Sequence, residues 1–268
     1  MVTAALLVSA VAGSPLMGSE IPITLTDLNT TIQAYSQSDA GIGSWTVDGV
    51  NQMNREWFWF RVGDATPTNP EQSIDTLTRT ANTPLDGNDN PGYDYLYQKF
   101  VKSGQFSVAL TYNLTGGEIG SGSSDLGMSI KIVNTSTQSL SFHFFQLTDF
   151  DLAGTSGGDT AQVVNPNLIQ QIDGREVSTV SLNPPPSLTQ VDFHPNIYSL
   201  LTNSQGDELN GTTGPAGPGN MEWAAEWSVT LAPGANLLIS EDELLVPEPA
   251  SLTLLAVGAL ALLRKRRN

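Results

Sequence analysis

The sequence predicts an all-β protein: an antiparallel β-sandwich or jelly-roll ectodomain followed by a short C-terminal hydrophobic helix. Three observations carry that expectation. Apolar and polar residues alternate with period two along several segments, the pattern of strands buried on one face. Charged residues are only 14% of the chain, and 25 glycines and 16 prolines punctuate it, which favours short strands joined by turns over helices built from Ala, Leu, Glu and Lys. Outside the last residues no stretch carries a long, capped helical pattern. A chain of 268 residues accommodates one all-β domain of ordinary size.

Taken in chain order, NREWFWFRVGD places Trp57, Phe58, Trp59 and Phe60 in succession, so both faces of this strand must be covered, by a second sheet or by a loop. QFSVALTYNL puts Phe106, Val108, Leu110, Tyr112 and Leu114 on one side, and DLGMSIKIVN does the same with Leu126, Met128, Ile130 and Ile132. MEWAAEWSVTLAPG aligns Trp223, Ala225, Trp227, Val229 and Leu231 before a Pro-Gly turn, after which NLLIS pairs back as a hairpin. Runs of this kind predict roughly ten to twelve strands, with LNPPPS and GTTGPAGPGN as loops inside one domain. The expected organisation is a leader over residues 1–19, the β-rich domain over 20–240 and a distinct C-terminal segment over 241–268.

Composition narrows the function. A net charge of −16 excludes nucleic acid as a partner, because phosphate binding needs a basic footprint. Cysteine is absent, which removes disulfides, thiol nucleophiles and thiolate metal sites. The N-terminus has an apolar run from Val2 to Ala12, with Ala10 and Ala12 in A-x-A spacing. That is the h-region and cleavage site of a secretory signal peptide, and the missing basic n-region suggests a start placed too late.

The C-terminus is the most specific part of the sequence. Eleven Lys and Arg stand against 27 Asp and Glu, yet four of the eleven are Arg264, Lys265, Arg266 and Arg267. The fourteen uncharged residues before them, 250–263, would reach about 21 Å as a helix against a hydrocarbon core of about 30 Å. The run therefore predicts transient insertion in the inner membrane, with the basic cluster held on the cytoplasmic side. Pro247, Glu248 and Pro249 precede the run, and two prolines around one residue hold the chain extended. This order of features resembles the PEP-CTERM sorting signal of Gram-negative bacteria. The resemblance implies recognition by an exosortase after passage through the secretion machinery, with Pro247, Glu248 and Pro249 as the recognised motif. It further implies removal of the tail and delivery to the cell surface or its exopolysaccharide matrix. SWTVDGVNQMNREWFWFRVGD and FHFFQLTDFDL also resemble pieces of the ectodomains that precede such signals, a likeness that carries no activity.

Candidate chemistry in the body is sparse. GTSGG satisfies G-x-S-x-G at Ser156, but a nucleophile elbow needs a strand before it and a helix after it, so a Gly/Ser loop is expected. DGNDNPGYD sets Asp86, Asn88, Asn90 and Asp94 at positions 1, 3, 5 and 9 of an oxygen-rich loop, a spacing that wraps Ca²⁺. It departs from the EF-hand pattern at Pro91 and Tyr97, so a plain turn cluster competes. Asp149, Asp151 and Asp159 form a second tentative calcium set. Glu222 and Glu226 are spaced too widely on a strand for glycoside hydrolysis and are expected to be solvated opposite Trp223 and Trp227. His143 reads as an ordinary strand residue. No catalytic residue and no required cofactor emerges, calcium being the one candidate ion. The expected function is that of a non-enzymatic surface or matrix protein. A carbohydrate-binding module touching extracellular polysaccharide is the alternative, and a secreted hydrolase the weaker one. Exposed tryptophans would favour sugar stacking, and buried ones would count against it.

Overall fold

The computed structural model describes residues 20–248. The expected leader, the hydrophobic helix over 250–263, Pro249 and the Arg264–Arg267 cluster lie outside the described residues. The chain forms β1 (Ile23–Asp27), β2 (Thr30–Ala34), β3 (Ile42–Val47), β4 (Val50–Asn51), β5 (Met53–Val62) and β6 (Gln72–Ser73). It continues through β7 (Thr78–Leu85), β8 (Tyr95–Lys102), β9 (Phe106–Gly116), β10 (Ser124–Asn134), β11 (Leu140–Phe150), β12 (Asp159–Asn165), β13 (Leu168–Ile172) and β14 (Glu176–Asn183). The last elements are β15 (Leu188–Phe193), the helix α1 (Asn196–Thr202), β16 (Ala216–Gly219), β17 (Met221–Leu231) and β18 (Asn236–Pro247).

These strands make two antiparallel sheets. Sheet one runs β1-β2-β3-β5-β11-β17-β15, with β4 on β3 and β6 on β5; sheet two runs β16-β12-β13-β14-β18-β10-β9-β8-β7. The all-β sandwich is therefore as expected, with more strands than the ten to twelve read from sequence. The surplus consists of short pieces such as Val50–Asn51, Gln72–Ser73 and Ala216–Gly219, which are too brief to show alternation. Ala216–Gly219 also corrects the reading of GTTGPAGPGN as loop throughout, since it pairs with β12 at Asp159 and Ala161.

The core is the space between the sheets. Phe60, Phe106 and Phe142 meet there, with Phe60 and Phe142 each edge-on to Phe106 at centroid distances of 5.0 and 4.8 Å. Phe58 stacks on Phe144 at 5.5 Å, and every inward residue named for β9 and β10 is buried. Each such side chain contributes about 1.5–3 kcal/mol by leaving water, and edge-on aromatic pairs add about 0.5–1.5 kcal/mol.

Strand β18 lies in the middle of sheet two, between β14 and β10. Its register continues through Val246 opposite Val177 to Pro247 opposite Glu176, so the strand crosses residue 240, where the sequence reading ends the ectodomain. Past Pro247, the Glu248 amide donates to the Arg175 carbonyl at 2.7 Å. Gly122 makes room for this landing: its φ is +66°, and a Cβ there would sit 2.6 Å from the Pro247 ring. Strand and hydrogen bonding thus run into the first two residues of the Pro-Glu-Pro stretch.

A fragment spanning residues 20–248 should melt cooperatively with β-type circular dichroism. A fragment ending at residue 240 removes Glu241–Pro247 from a central strand, exposing the ladders of both neighbours. It should lose the cooperative transition or melt at least 10 °C lower, on the order of a several kcal/mol loss in a domain this size.

Candidate functional site

The outer face of sheet one carries most of the protein's clustered polar chemistry. On β5 the outward residues include Arg55, Trp59 and Arg61; on β11, His143, Phe145 and Asp149; on β17, Glu222, Glu226 and Ser228. Register brings them into rows, with Asp149 opposite Arg55 and His143 opposite both Arg61 and Ser228. Residues 194–213, including α1, lie over this face and bury Ile197, Leu201 and Leu209.

One end of the face gathers Asp149, His194 and Glu222. The His194 imidazole Nδ1 lies 3.0 Å from Glu222 Oε2 and 3.1 Å from Asp149 Oδ2. Asn54 Nδ2 donates to the same Asp149 oxygen at 2.8 Å. The other Glu222 oxygen accepts the amides of Ile197 and Tyr198, the latter at 3.0 Å, which seats α1 on the sheet. Arg55 stacks over the Tyr198 ring at 4.1 Å, and the Tyr198 hydroxyl donates to Asp39 at 2.8 Å. Burial pushes Asp149 up to about 6, against the bonds from Asn54 and His194. Burial raises Glu222 too, opposed by the two helix amides and His194.

The other end gathers His143, Glu226 and Glu208 around Arg61. His143 Nδ1 is 2.9 Å from Glu226 Oε1, and the Ser228 hydroxyl donates to that oxygen at 2.6 Å. Burial pushes Glu226 up, but the bonds from His143 and Ser228 outweigh it and leave the carboxyl below its usual range. Arg61 is wholly buried and has four acceptors: Glu71, the Asp207 carbonyl at 2.6 Å, Glu208 at 2.6 Å and the Gly63 carbonyl at 3.2 Å.

Glu222 and Glu226 are both fully buried, which corrects the expectation that they are solvated. The alternation that turns Trp223 and Trp227 inward does turn the two glutamates outward. Segment 194–213 then covers them, and a strand pattern carries no sign of a distant cover. His143, expected to be an ordinary strand residue, is hydrogen-bonded inside the same cluster. Arg61 was missed as a site residue, and His194 was not placed with Asp149 and Glu222; a lone Arg inside the apolar run WFWFRV was an available signal.

The two tentative calcium sets are placed as follows. Asp94 accepts the Gly87 amide at 2.6 Å and the Asn88 side-chain amide, while Asn88 and Asn90 donate to Asp27 at 3.2 and 2.7 Å. Asp86 is exposed. Asp149 groups with His194, and Asp159 accepts from Gln171 Nε2 at 2.7 Å. Ser156 sits in an exposed loop between a 3₁₀ turn and β12, not at a strand-to-helix turn.

Among the described residues, three groups could share an ion: Asp149, His194 and Glu222; His143, Glu208 and Glu226; and Glu56, Glu241 and Glu243. Beside the covered face lies an open cleft of about 350 Å³ lined by Asp39, Trp59, Glu71, Ser73, Asp75 and Leu201. No helix of the described residues is long and apolar enough to cross a membrane.

Residues 245–267 match the PEP-CTERM protein-sorting motif. The chain therefore carries a C-terminal sorting signal that implies export, surface sorting and processing by an exosortase. No curated protein matches the chain. Its fold is similar to that of the Slr1438 protein from Synechocystis sp. PCC 6803, with 11% identity over 91% of this chain and 100% of that one and a TM-score of 0.56. It is similar to a protein from Escherichia coli K12 assigned as an aldose 1-epimerase, with 10% identity over 84% and 98% of the two chains and a TM-score of 0.54. It also resembles a bacterial glucoamylase complexed with acarbose, with 12% identity over 92% of this chain and a TM-score of 0.52. The chain spans only 36% of the glucoamylase's length. At these identities the likeness is one of fold.

Two measurements probe this face and its margin. Arg61→Ala leaves Glu71 buried without its charged partner and should cost about 3–5 kcal/mol in urea unfolding. Burial raises Asp159 to about 7, far above its unfolded value, so its contribution to stability is present in full below about pH 4 and is lost as pH rises to about 7. Asp159→Asn should therefore raise the melting temperature at pH 8 and leave it nearly unchanged at pH 4.

Proposed function

We propose that this chain is an exported protein of the cell surface or its polysaccharide matrix, acting without catalysis and released from the inner membrane by exosortase processing. The sorting motif carries this reading, because its first residues are continuous with β18 and so are presented at the edge of a folded domain. The non-catalytic part is supported by how the acid and imidazole groups are used. Glu222 holds α1, Arg61 holds Asp207 and Glu208, and both serve to fasten segment 194–213 over the sheet. A catalytic acid or base needs its proton-exchanging atom open to a substrate, whereas Glu222 and Glu226 are fully buried beneath that segment.

The alternative, a carbohydrate-binding module, is favoured by one observation, the fold likeness to a glucoamylase and an aldose 1-epimerase. Against it, Trp45, Trp57, Trp59, Trp223 and Trp227 are each at most 1% exposed, leaving no tryptophan platform on which a sugar ring could stack.

In a host with an exosortase, mass spectrometry of surface material should find the protein without the apolar run Leu254–Leu263. Replacing Pro247, Glu248 and Pro249 with Ala should trap full-length chain in the inner membrane; surface protein that retains Leu254–Leu263 would establish a permanent anchor instead. Incubated with bacterial exopolysaccharides and with aryl glycosides, the purified protein should release no sugar. Saturable polysaccharide binding would favour the binding module.

A further inference from the structure

The interior of the sandwich holds polar groups that neither export nor sorting uses. Glu56 on β5 meets Glu241 and Glu243 on β18 across the space between the sheets, with one oxygen of each within 4.8 Å of the others. They are 1%, 4% and 0% exposed. The residues directly opposite the two β18 glutamates are apolar: Met128 and Leu182 flank Glu241, and Leu126 and Val180 flank Glu243. Among the described residues no Lys, Arg or His pairs with any of the three. Carboxylates buried without compensation are too costly to persist ionised, so this interior must hold protons, water or a cation.

Two further observations, from side chains that are not acids, point to an ion. Gln146 is fully buried, and its Nε2 donates to Glu56 at 3.0 Å and to Glu241 at 2.6 Å while its carbonyl oxygen has no partner. A half-turn of that amide exchanges its nitrogen and oxygen and turns the carbonyl onto the carboxylates. Thr148, fully buried and opposite Glu56 in the register, has an unpartnered hydroxyl on the same inner face. Both oxygens of Glu243 and one each of Glu56 and Glu241 are likewise without a donor.

We propose that Glu56, Glu241 and Glu243, with Gln146, form an internal divalent-cation site, and that the ion is calcium. An all-oxygen set with no imidazole or thiolate suits a hard cation. Several carboxylates in a protein cage suit Ca²⁺ better than Mg²⁺, which keeps most of its water. The ion bridges β5 in one sheet to β18 in the other, on the strand that leads directly into Pro247.

The full chain, purified without chelator, should carry one calcium per molecule by elemental analysis. Protein produced in calcium should melt at least about 5 °C higher than protein stripped with EGTA, since a ligand bound only to the folded state stabilises it. Mg²⁺ at equal ionic strength should reproduce little of the shift. Glu243→Gln should abolish both bound calcium and the shift while keeping the β-type spectrum, and Asp86→Ala should change neither. If Glu243→Gln does not fold, Glu56→Gln serves the same comparison, and the calcium content of the native chain still decides. A native chain that holds no calcium and melts alike in calcium and EGTA overturns the site in favour of protons or internal water. A shift that survives in Glu243→Gln overturns it in favour of general charge screening.

Discussion

The strands at the centre of sheet one, β5, β11 and β17, are buried on both faces, and that condition governs much of the rest. Their inner side chains, Phe58, Phe60, Phe142, Phe144 and Trp227, make the core with sheet two. Their outer side chains include Trp59, Phe145 and Arg61, which water would surround if nothing lay over them. Segment 194–213 supplies the cover, with Tyr198 edge-on to Trp59 at a centroid distance of 6.4 Å. Because a cover made of loop and a short helix has many unpaired backbone groups, it must be fastened by polar side chains. Glu222 at one end and Arg61 at the other meet that need, and buried charges are tolerated there because each has several partners.

The same reasoning separates two kinds of buried acid in this molecule. Glu222 and Glu226 have histidines, backbone amides or a hydroxyl within hydrogen-bonding distance. Among the described residues Glu243 has no donor, and Glu56 and Glu241 share only the Gln146 amide. Paired acids can hold structure by themselves, whereas acids without donors call for something the polypeptide does not supply. Without an ion, burial first and the adjoining carboxylates second hold Glu56 and Glu243 well above the usual carboxylate range, so protons and a cation compete for one place.

Strand β18 joins these structural questions to function. It is central in sheet two, it carries Glu241 and Glu243 inward, and it delivers Pro247 and Glu248 at the domain's margin. A processing enzyme that reads Pro-Glu-Pro meets a motif whose first proline is still paired to Glu176. The folded state of the ectodomain and the presentation of its sorting signal are therefore mechanically linked through one strand.

Sequence alone determined the class of fold and the presence of a C-terminal sorting signal. Alternation in Phe106–Leu114 and Leu126–Ile132 is a local property of strands, and the order of Pro-Glu-Pro, apolar run and basic end is read without any folding. The phase Ile239, Glu241, Glu243, Leu245 was also there to read, and it turns two acids inward. What no local pattern contains is which distant segment meets which face. That Glu56 would find Glu241, that Glu222 would cap a helix from the 194–213 cover, and that His194 would sit between Asp149 and Glu222 were decided only by tertiary structure. A strand's sequence specifies the direction of its side chains, whereas their partners are set by sheet order and by loops closing over long separations.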